Sequence, residues 1–284
     1  MQDLNGKTAL ITGAAEGIGF HTARILARQG MSVMLTDING DQLTQSVNTL
    51  KEEGFNVEGV VLDVSKQAQW APVVEQTVSR FGAIHFLMSN AGVSAIGGQQ
   101  NISEQDWRWV MDVNVMGVVY GCQALMPHMR AHAEGAHIMN VASMAGMRGI
   151  EYAGPYCASK AAVVSLSESW RVELARYGIE VSVLCPGFVQ TRIYDSARNR
   201  QAEYGGPQSF AELVKERPSL EANRQIVVGG IEVEKAAGRV LEGLLANEAF
   251  IFTHPEFQSA QWDRAEMIKA AFEQAADSPA LKLK

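Results

Sequence analysis

Thr12-Gly13-Ala14-Ala15-Glu16-Gly17-Ile18-Gly19 is the stretch on which the fold turns. Before it runs KTALIT, residues 7–12, short and mostly apolar, as a strand buried on both faces requires. After it, residues 20–28 read as a helix that stops at Gln29-Gly30. Strand, glycine-rich turn and helix together form a cradle for a dinucleotide. Gly13 permits the tight turn, Gly17 lets the backbone approach a pyrophosphate, and Gly19 lets helix pack on strand. The free N–H groups of the helix start then face the phosphates, with Ile18 among them. The spacing is Gly-x3-Gly-x-Gly rather than the commoner G-x-G-x-x-G, so the flanking strand and helix carry the reading.

The same alternation continues outward. Residues 32–36 (SVMLT) form a second strand with Asp37 at its carboxyl end. An acid about 20 residues past such a cradle can accept hydrogen bonds from the adenosine ribose. Asp37 would also repel a 2′-phosphate, and Glu16 adds charge of the same sign, so the expected cofactor is NAD rather than NADP; the plainer role for Asp37 is a turn or helix cap. Further strands are expected over 57–62, 84–88, 136–141, 180–184 and 250–253, with helices over 40–53, 103–129, 156–176, 231–246 and 256–276. Strand ends fall at Asp63-Val64, at Ser89-Asn90-Ala91-Gly92, at Ala142-Ser143-Met144 and at Cys185-Pro186-Gly187. Asp63 could hold an adenine amino group or cap the next helix. This pattern predicts an α/β fold, one doubly wound parallel sheet of about seven strands with helices on both faces. A single domain over 1–284 is expected, with an irregular insert at 190–230 serving as a substrate lid and a helical extension at 256–276.

Composition bounds the function. The chain has 284 residues, 47% hydrophobic and 19% charged, enough to fill a sizeable core. A net charge of −7 without a basic block argues against nucleic acid and anionic membranes as partners. No apolar run is long enough to span a bilayer, and the N-terminus lacks a secretory pattern. Cys122, Cys157 and Cys185 are widely spaced and odd in number, which fits a reducing, cytoplasmic setting. His128, His132 and His137 straddle a helix end and a Gly135 turn; a solvated helix end is expected there, and no metal. Trp107 and Trp109 read as packing residues.

Tyr156 and Lys160 stand four residues apart in an expected helix and so share a face. A neighbouring ammonium favours a phenolate, and a tyrosine tuned in this way can exchange a proton with an alcohol. Asn114 lies inside the long helix over 103–129 among Met111, Val115 and Val118, where an asparagine needs a solvent face or a task.

Jointly, Thr12-Gly13-x3-Gly17-Ile18-Gly19, Asn90-Ala91-Gly92, Asn114, Ser143, Tyr156-x3-Lys160 and Pro186-Gly187 resemble the short-chain dehydrogenase/reductase family, in the family's order and over most of the chain to about Thr191. The resemblance implies a Rossmann-type domain and a role for each position. Tyr156 would be the general acid/base, Ser143 would bind the substrate oxygen, and Lys160 would lower the tyrosine pKa and hold the nicotinamide ribose. Asn114 would hold a water linking Lys160 to solvent. Val189 and Thr191 would hold the nicotinamide carboxamide, and Asn90 the adenosine side. Many members of the family end soon after the seventh strand; the extension here departs from that form and leaves the usual tetramer geometry open. A homo-oligomer, dimer or tetramer, is implied, with the helices at 103–129 and 156–176 as its dimer face. Ala153-Gly154-Pro155-Tyr156, Tyr177-Gly178-Ile179, Ala202-Glu203-Tyr204-Gly205 and His254-Pro255-Glu256 are similar to bacterial dehydrogenases of bulky benzylic alcohols, as in lignin-fragment breakdown.

Tyr152 either reaches the substrate or packs on the lid as a loop aromatic, and Ser94, Ala95, Ile96, Met144, Met147 and Phe188 are the expected pocket wall. It is apolar, methionine-adapted and without a cluster of cations for an anionic substrate. The expected reaction interconverts an uncharged, hydrophobic secondary alcohol and its ketone by hydride transfer. Reduction of 3-oxoacyl or diketone metabolites is the alternative, and a non-catalytic NAD-binding sensor is the rival of another class, opposed by the intact set Asn114, Ser143, Tyr156 and Lys160.

Overall fold

The computed structural model describes residues 3–132 and 134–281. The chain forms two compact units, Met1–Thr253 and His254–Lys284. The first contains a seven-stranded sheet built of β1 (Thr8–Thr12), β2 (Ser32–Asp37), β3 (Val57–Val61), β4 (Phe86–Ser89), β5 (Ala136–Val141), β6 (Ile179–Cys185) and β7 (Phe250–Phe252). The order is β3-β2-β1-β4-β5-β6-β7 and every pairing is parallel. This is a Rossmann-type, doubly wound sheet. The chain winds outward from β1 to β3, returns, and winds the other way from β4, so the topological switch lies between β1 and β4.

The inner strands are apolar because both faces are covered: β1 and β5 are buried at every position. One face packs under α1 (Gly17–Arg28) and α2 (Gly40–Glu52), with Leu26, Leu35, Met88 and Ile251 in its core. The other packs under α3 (Gln67–Phe81), α4 (Glu104–Met111) and α5 (Gly117–Ala131), with Trp70, Trp109, Leu87 and Leu125. Helix α6 (Met144–Met147) is a single turn before α7 (Gly154–Leu174), the longest helix of this unit. Pro155 opens α7 in the first turn, where a missing N–H is harmless.

Two expectations need correction. The single helix foreseen over 103–129 is broken by a π-helical turn, Asp112–Met116, between α4 and α5. Its start is as foreseen: Ser103 and Asp106 form a reciprocal capping box. The insert at 190–230 is not irregular. It contains 3₁₀ segments Ile193–Asn199 and Ala202–Tyr204, then α8 (Phe210–Glu216) and α9 (Ser219–Val228). Gly205-Gly206-Pro207 and Pro218, which read as loop residues, only punctuate these short helices. Helix α10 (Val233–Ala246) then packs beside α1 and leads into β7. The second unit is a 3₁₀ turn, Pro255–Phe257, followed by α11 (Gln258–Ala276).

Candidate active site

The crevice at the carboxyl ends of β1 and β4 is built by the glycine turn. Gly13 has φ +61°, and a Cβ there would stand 2.8 Å from Ala91 Cα. A Cβ at Gly19 would meet Gly13 O at 2.4 Å, so only glycine lets α1 start this close to β1. The turn is tied down from both neighbours. Ala14 N donates to Thr36 O at 3.0 Å, and Asn90 Nδ2 donates to the carbonyls of Thr12 and Gly13, each at 2.9 Å. Thr12 Oγ1 accepts from the amides of Asn90 and Ala91, both at 3.0 Å. Asn90, expected to reach the adenosine, thus spends its amide on the turn itself. Thr12 completes this brace and stands out in the sequence only as the residue before Gly13.

Asp37 ends β2 half-buried. Its Oδ2 accepts from Ala15 N at 3.2 Å and its Oδ1 from Asn39 N at 2.9 Å. Burial raises its carboxyl, while the amides of Asn39 and Ala15 and the charge of Arg198 oppose that. Asp63 Oδ1 accepts from Ser65 N, Ser65 Oγ and Gln201 Nε2 at 3.0, 2.7 and 2.9 Å, so it shapes the turn before α3, whose N-cap is Lys66 rather than Asp63. Val64 is buried, and its carbonyl accepts from Trp70 Nε1.

The second half of the site gathers around α7. Ser143 ends β5; its hydroxyl accepts from Ala145 N at 3.1 Å and hydrogen-bonds the Tyr156 phenol. Lys160, one turn along, is buried and donates to Val141 O at 2.8 Å, its amine 5.7 Å from the Tyr156 ring centre. A Cβ placed on Gly92 would be 3.3 Å from Lys160 Nζ and 3.5 Å from Asn114 Oδ1, which shows how closely the three segments meet. Asn114 is buried in the π-turn. Its Oδ1 accepts from Val93 N at 2.8 Å, and its Nδ2 donates to Val93 O and Ser159 Oγ at 2.9 and 3.0 Å. Its side chain therefore braces the β4 loop against α7.

The electrostatics differ from the expected lysine effect. Burial is the largest influence on Tyr156 and raises its pKa; the Ser143 hydrogen bond lowers it, and Lys160 is not among the influences. The Lys160 ammonium is itself pulled down to about 8 by burial. The phenol end of Tyr156 lies deep even though the residue keeps part of its surface open.

Past β6, Pro186 is buried, and Gly187 N donates to Thr253 Oγ1 at 3.1 Å. Val189 bridges to Ile231 and packs on Val233 and Ala236. Thr191 faces the phosphate turn: its Cγ2 would be 3.4 Å from a Cβ on Gly17. Beside it lies a cleft of about 580 Å³ lined by Glu16, His21, Arg192 and Tyr194, among others. Ser94, Ile96 and Phe188 are half-buried and Met144 is buried at the mouth of the site, but Ala95 lies in the core under α4. Tyr152 is exposed, with φ 61°, and its carbonyl accepts from Gly97 N at 2.8 Å.

Residues 193–206, within the insert expected to be a lid, form a strap whose anchoring side chains the sequence did not reveal. Ser196 Oγ accepts from Ser94 N at 3.0 Å. Arg198 pairs with Glu16. Arg200, buried, pairs with buried Asp106 at 2.6 Å. Gln201 Oε1 accepts from Trp109 Nε1 at 3.0 Å, and Tyr204 donates to Asp112 Oδ2 at 2.8 Å.

The profile of the short chain dehydrogenase family matches residues 7–202. The chain belongs to the short-chain dehydrogenase family. It is 33% identical over 257 residues to the C alpha-dehydrogenase of Sphingobium sp. strain SYK-6, covering 90% of this chain and 83% of that one. It is also 33% identical over 221 residues to a 3-oxoacyl acyl-carrier-protein reductase of Thermotoga maritima, covering 74% and 89%. Among solved structures, a short chain dehydrogenase/reductase from Burkholderia phymatum in complex with NAD superposes with a TM-score of 0.89 at 35% identity, covering 95% and 97%. As a short-chain dehydrogenase the protein is an oxidoreductase acting on a small molecule. Among the described residues no helix is long and apolar enough to cross a membrane.

His85 and His132 of this short-chain dehydrogenase serve the fold rather than that chemistry. His132 is not a solvated helix end: its Nε2 is 3.0 Å from Ile84 O, and its Nδ1 accepts from Glu134 N. It stacks at 4.6 Å on His85, whose Nδ1 accepts from Thr8 N. With Nδ1 occupied in this way, His85 carries its proton on Nε2, 3.2 Å from Glu134. The grouping of His85, His132 and Glu134 thus holds protons in fixed places, a poor arrangement for a cation.

Proposed function

We propose that the protein is an NAD-dependent oxidoreductase interconverting an uncharged, hydrophobic secondary alcohol and its ketone, with Tyr156 as general acid/base. The observation that carries this is the hydrogen-bonded pair of Ser143 and Tyr156 standing over buried Lys160, beside a glycine turn packed so closely on the β4 loop that a Cβ at Gly13 would stand 2.8 Å from Ala91 Cα. That cradle fits the cofactor: the Gly13–Gly19 turn would take the pyrophosphate, Asp37 the adenosine ribose, and Thr191 with Val189 the nicotinamide end. Bound NAD supplies the acceptor for the hydrogen leaving carbon. The choice of NAD over NADP is supported by the Asp37 carboxylate at the end of β2, which can accept from ribose hydroxyls and would repel a 2′-phosphate.

In oxidation, ionised Tyr156 Oη takes the alcohol proton, and the Ser143 hydroxyl stabilises the oxygen as charge develops on it. In reduction, neutral Tyr156 gives that proton to the carbonyl oxygen. Because burial favours the neutral phenol, the resting site is prepared for reduction, and oxidation speeds up as pH rises. Lys160 places positive charge beneath the phenol and can meet a ribose hydroxyl; Asn114 keeps that corner rigid. Ile96, Met144 and Phe188 offer apolar surface, and Arg217, the nearby cation, is 3.6 Å from Asp106. This supports an uncharged substrate, and the likeness to an enzyme named C alpha-dehydrogenase supports an aryl carbinol among candidates. Three free thiols fit a cytoplasmic protein, and a homo-oligomer is part of the same proposal.

The test is cofactor reduction by purified protein on aliphatic, cyclic and bulky aromatic secondary alcohols, with NAD and NADP in parallel. Turnover with NAD on one class is expected. Tyr156→Phe should lose turnover by at least about a hundredfold while NADH binding stays. A Tyr156→Phe protein that still turns over would sink the mechanism.

A further inference from the structure

We propose that Arg198 is a clasp: with a dinucleotide in the crevice, its guanidinium leaves Glu16 and takes the pyrophosphate, closing the strap of residues 193–206 over the cofactor. The proposal rests on the reading of the crevice as a cofactor site and concerns a residue outside the glycine turn.

The path of the strap is the first ground. It begins at Thr191, above Gly17. It is seated on the end of β4 where Ser196 Oγ accepts from Ser94 N at 3.0 Å and donates to Ser94 O at 3.3 Å. It ends beyond β3, where Gln201 Nε2 donates to Asp63 Oδ1 at 2.9 Å. The strap therefore touches in turn the loops at the carboxyl ends of β1, β4 and β3, which border the crevice where a dinucleotide lies in such a sheet.

Arg198 points back from the middle of that path. Its Nη1 donates to the carbonyls of Asp195 and Arg192 at 2.8 and 3.2 Å, which fixes the plane of the guanidinium. Its Nη2 donates to Glu16, the residue that opens α1. Its charge also reaches Asp37. The guanidinium is thus held between the phosphate turn and the acid at the end of β2. Backbone fixes one of its edges; on the other it meets a side chain that can swing away.

Charge completes the argument. Glu16 and Asp37 would both repel a pyrophosphate. The residues of the turn itself offer amides but no cation to offset them. Arg198 supplies that cation, and a guanidinium pairs with phosphate as it does with carboxylate, through a planar fork. Arg192 is the weaker candidate: it is 3.9 Å from Glu16, and Asp195 holds it at 2.6 Å.

The experiment is calorimetric titration of the full-length chain with NADH, ADP-ribose and adenosine, for wild type, Arg198→Gln, Glu16→Gln and the double variant. Arg198→Gln should weaken both pyrophosphate ligands about tenfold or more, the worth of one charge-assisted hydrogen bond, and leave adenosine unmoved. Glu16→Gln should tighten ADP-ribose, and the double variant should lose that gain. Wild-type affinity in Arg198→Gln, or equal weakening in Glu16→Gln, overturns the clasp and leaves the pair as a staple for the strap. Should Arg198→Gln unfold on heating well below wild type, Arg198→Lys is read instead; it keeps the charge, loses the fork, and should bind ADP-ribose at an intermediate strength. Wild-type protein that binds no ADP-ribose overturns the cofactor reading beneath the clasp, whereas normal wild-type binding with unmoved variants overturns the clasp alone.

Discussion

Lys160 shows what the site demands of single residues. Its ammonium is buried and its pKa is drawn from 10.5 to about 8. Below pH 8 it is charged in both the folded and the unfolded chain, so the fold carries the full desolvation penalty. Between pH 8 and 10.5 the folded chain alone releases the proton, and stability climbs with pH. Lys160→Met should therefore be more stable than wild type by roughly 2 kcal/mol at pH 7, once the lost hydrogen bond to Val141 O is deducted, with the advantage shrinking above pH 8. Denaturant unfolding at pH 7 and pH 10 checks this; equal stability at both would refute the account. Tyr152 carries strain of another kind, a bulky side chain at φ 61°. Tyr152→Gly should stabilise the fold by about 1 kcal/mol. If the ring serves the substrate, the same variant should raise KM for aryl alcohols with little change in kcat.

At the scale of elements, the strap is anchored by a charge pair that no local pattern announces. Arg200 and Asp106 are both buried, and burial alone would raise the Asp106 carboxyl, but the Ser103 amide and hydroxyl and the Arg200 guanidinium hold it below the usual range. Arg200→Met leaves that carboxylate buried with less compensation and should cost about 3 kcal/mol. Proteolysis within 193–206 should accelerate in that variant while amide exchange in β1 and β5 stays slow; equal cleavage would mean that Arg200 does not hold the strap. The contrast with the sheet explains what could be read from sequence. Each central strand is covered on both faces, so it appears as an apolar run ending in a polar loop, and the turn after β1 names its own task through its glycines. The proposed catalytic set could be read for the same reason: Ser143 follows a strand end and Tyr156 sits at a helix start. The strap has no such period. Its anchors are pairs distant in sequence, Gln201 with Asp63 and Tyr204 with Asp112, and its helices are too short to show a face. The π-turn was hidden likewise, because Asn114 becomes intelligible only once Val93 and Ser159 are seen on either side of its amide.

The molecule as a whole buries histidines, thiols and a lysine, and each sets a pH window in which stability is gained or lost. His137 is fully buried in β5, its Nε2 2.9 Å from Ser182 Oγ, and burial draws its pKa from 6.5 to about 3. His85, under β1, is lowered as well, chiefly by burial. For such groups the unfolded chain takes up protons first. Stability is complete above pH 6.5 and is lost as pH falls from 6.5 toward the folded value. Near pH 4.5, His137 alone should remove about 3 kcal/mol. Carboxylates held low by partners, such as Asp106, act in a separate window, losing their contribution only below the ordinary carboxylate range. Lys160 adds its gain above pH 8. The thermal midpoint should therefore rise from pH 5 to pH 7; above pH 9 the buried thiols of Cys122 and Cys185, each held up to about 12, oppose the gain from Lys160. His137→Gln, which can still bond Ser182, should flatten the acid limb and leave the alkaline limb untouched, and Lys160→Met should do the reverse. A midpoint that is level from pH 5 to pH 7 in wild type would show that the sheet opens to solvent around His137, and that its burial does not govern acid unfolding.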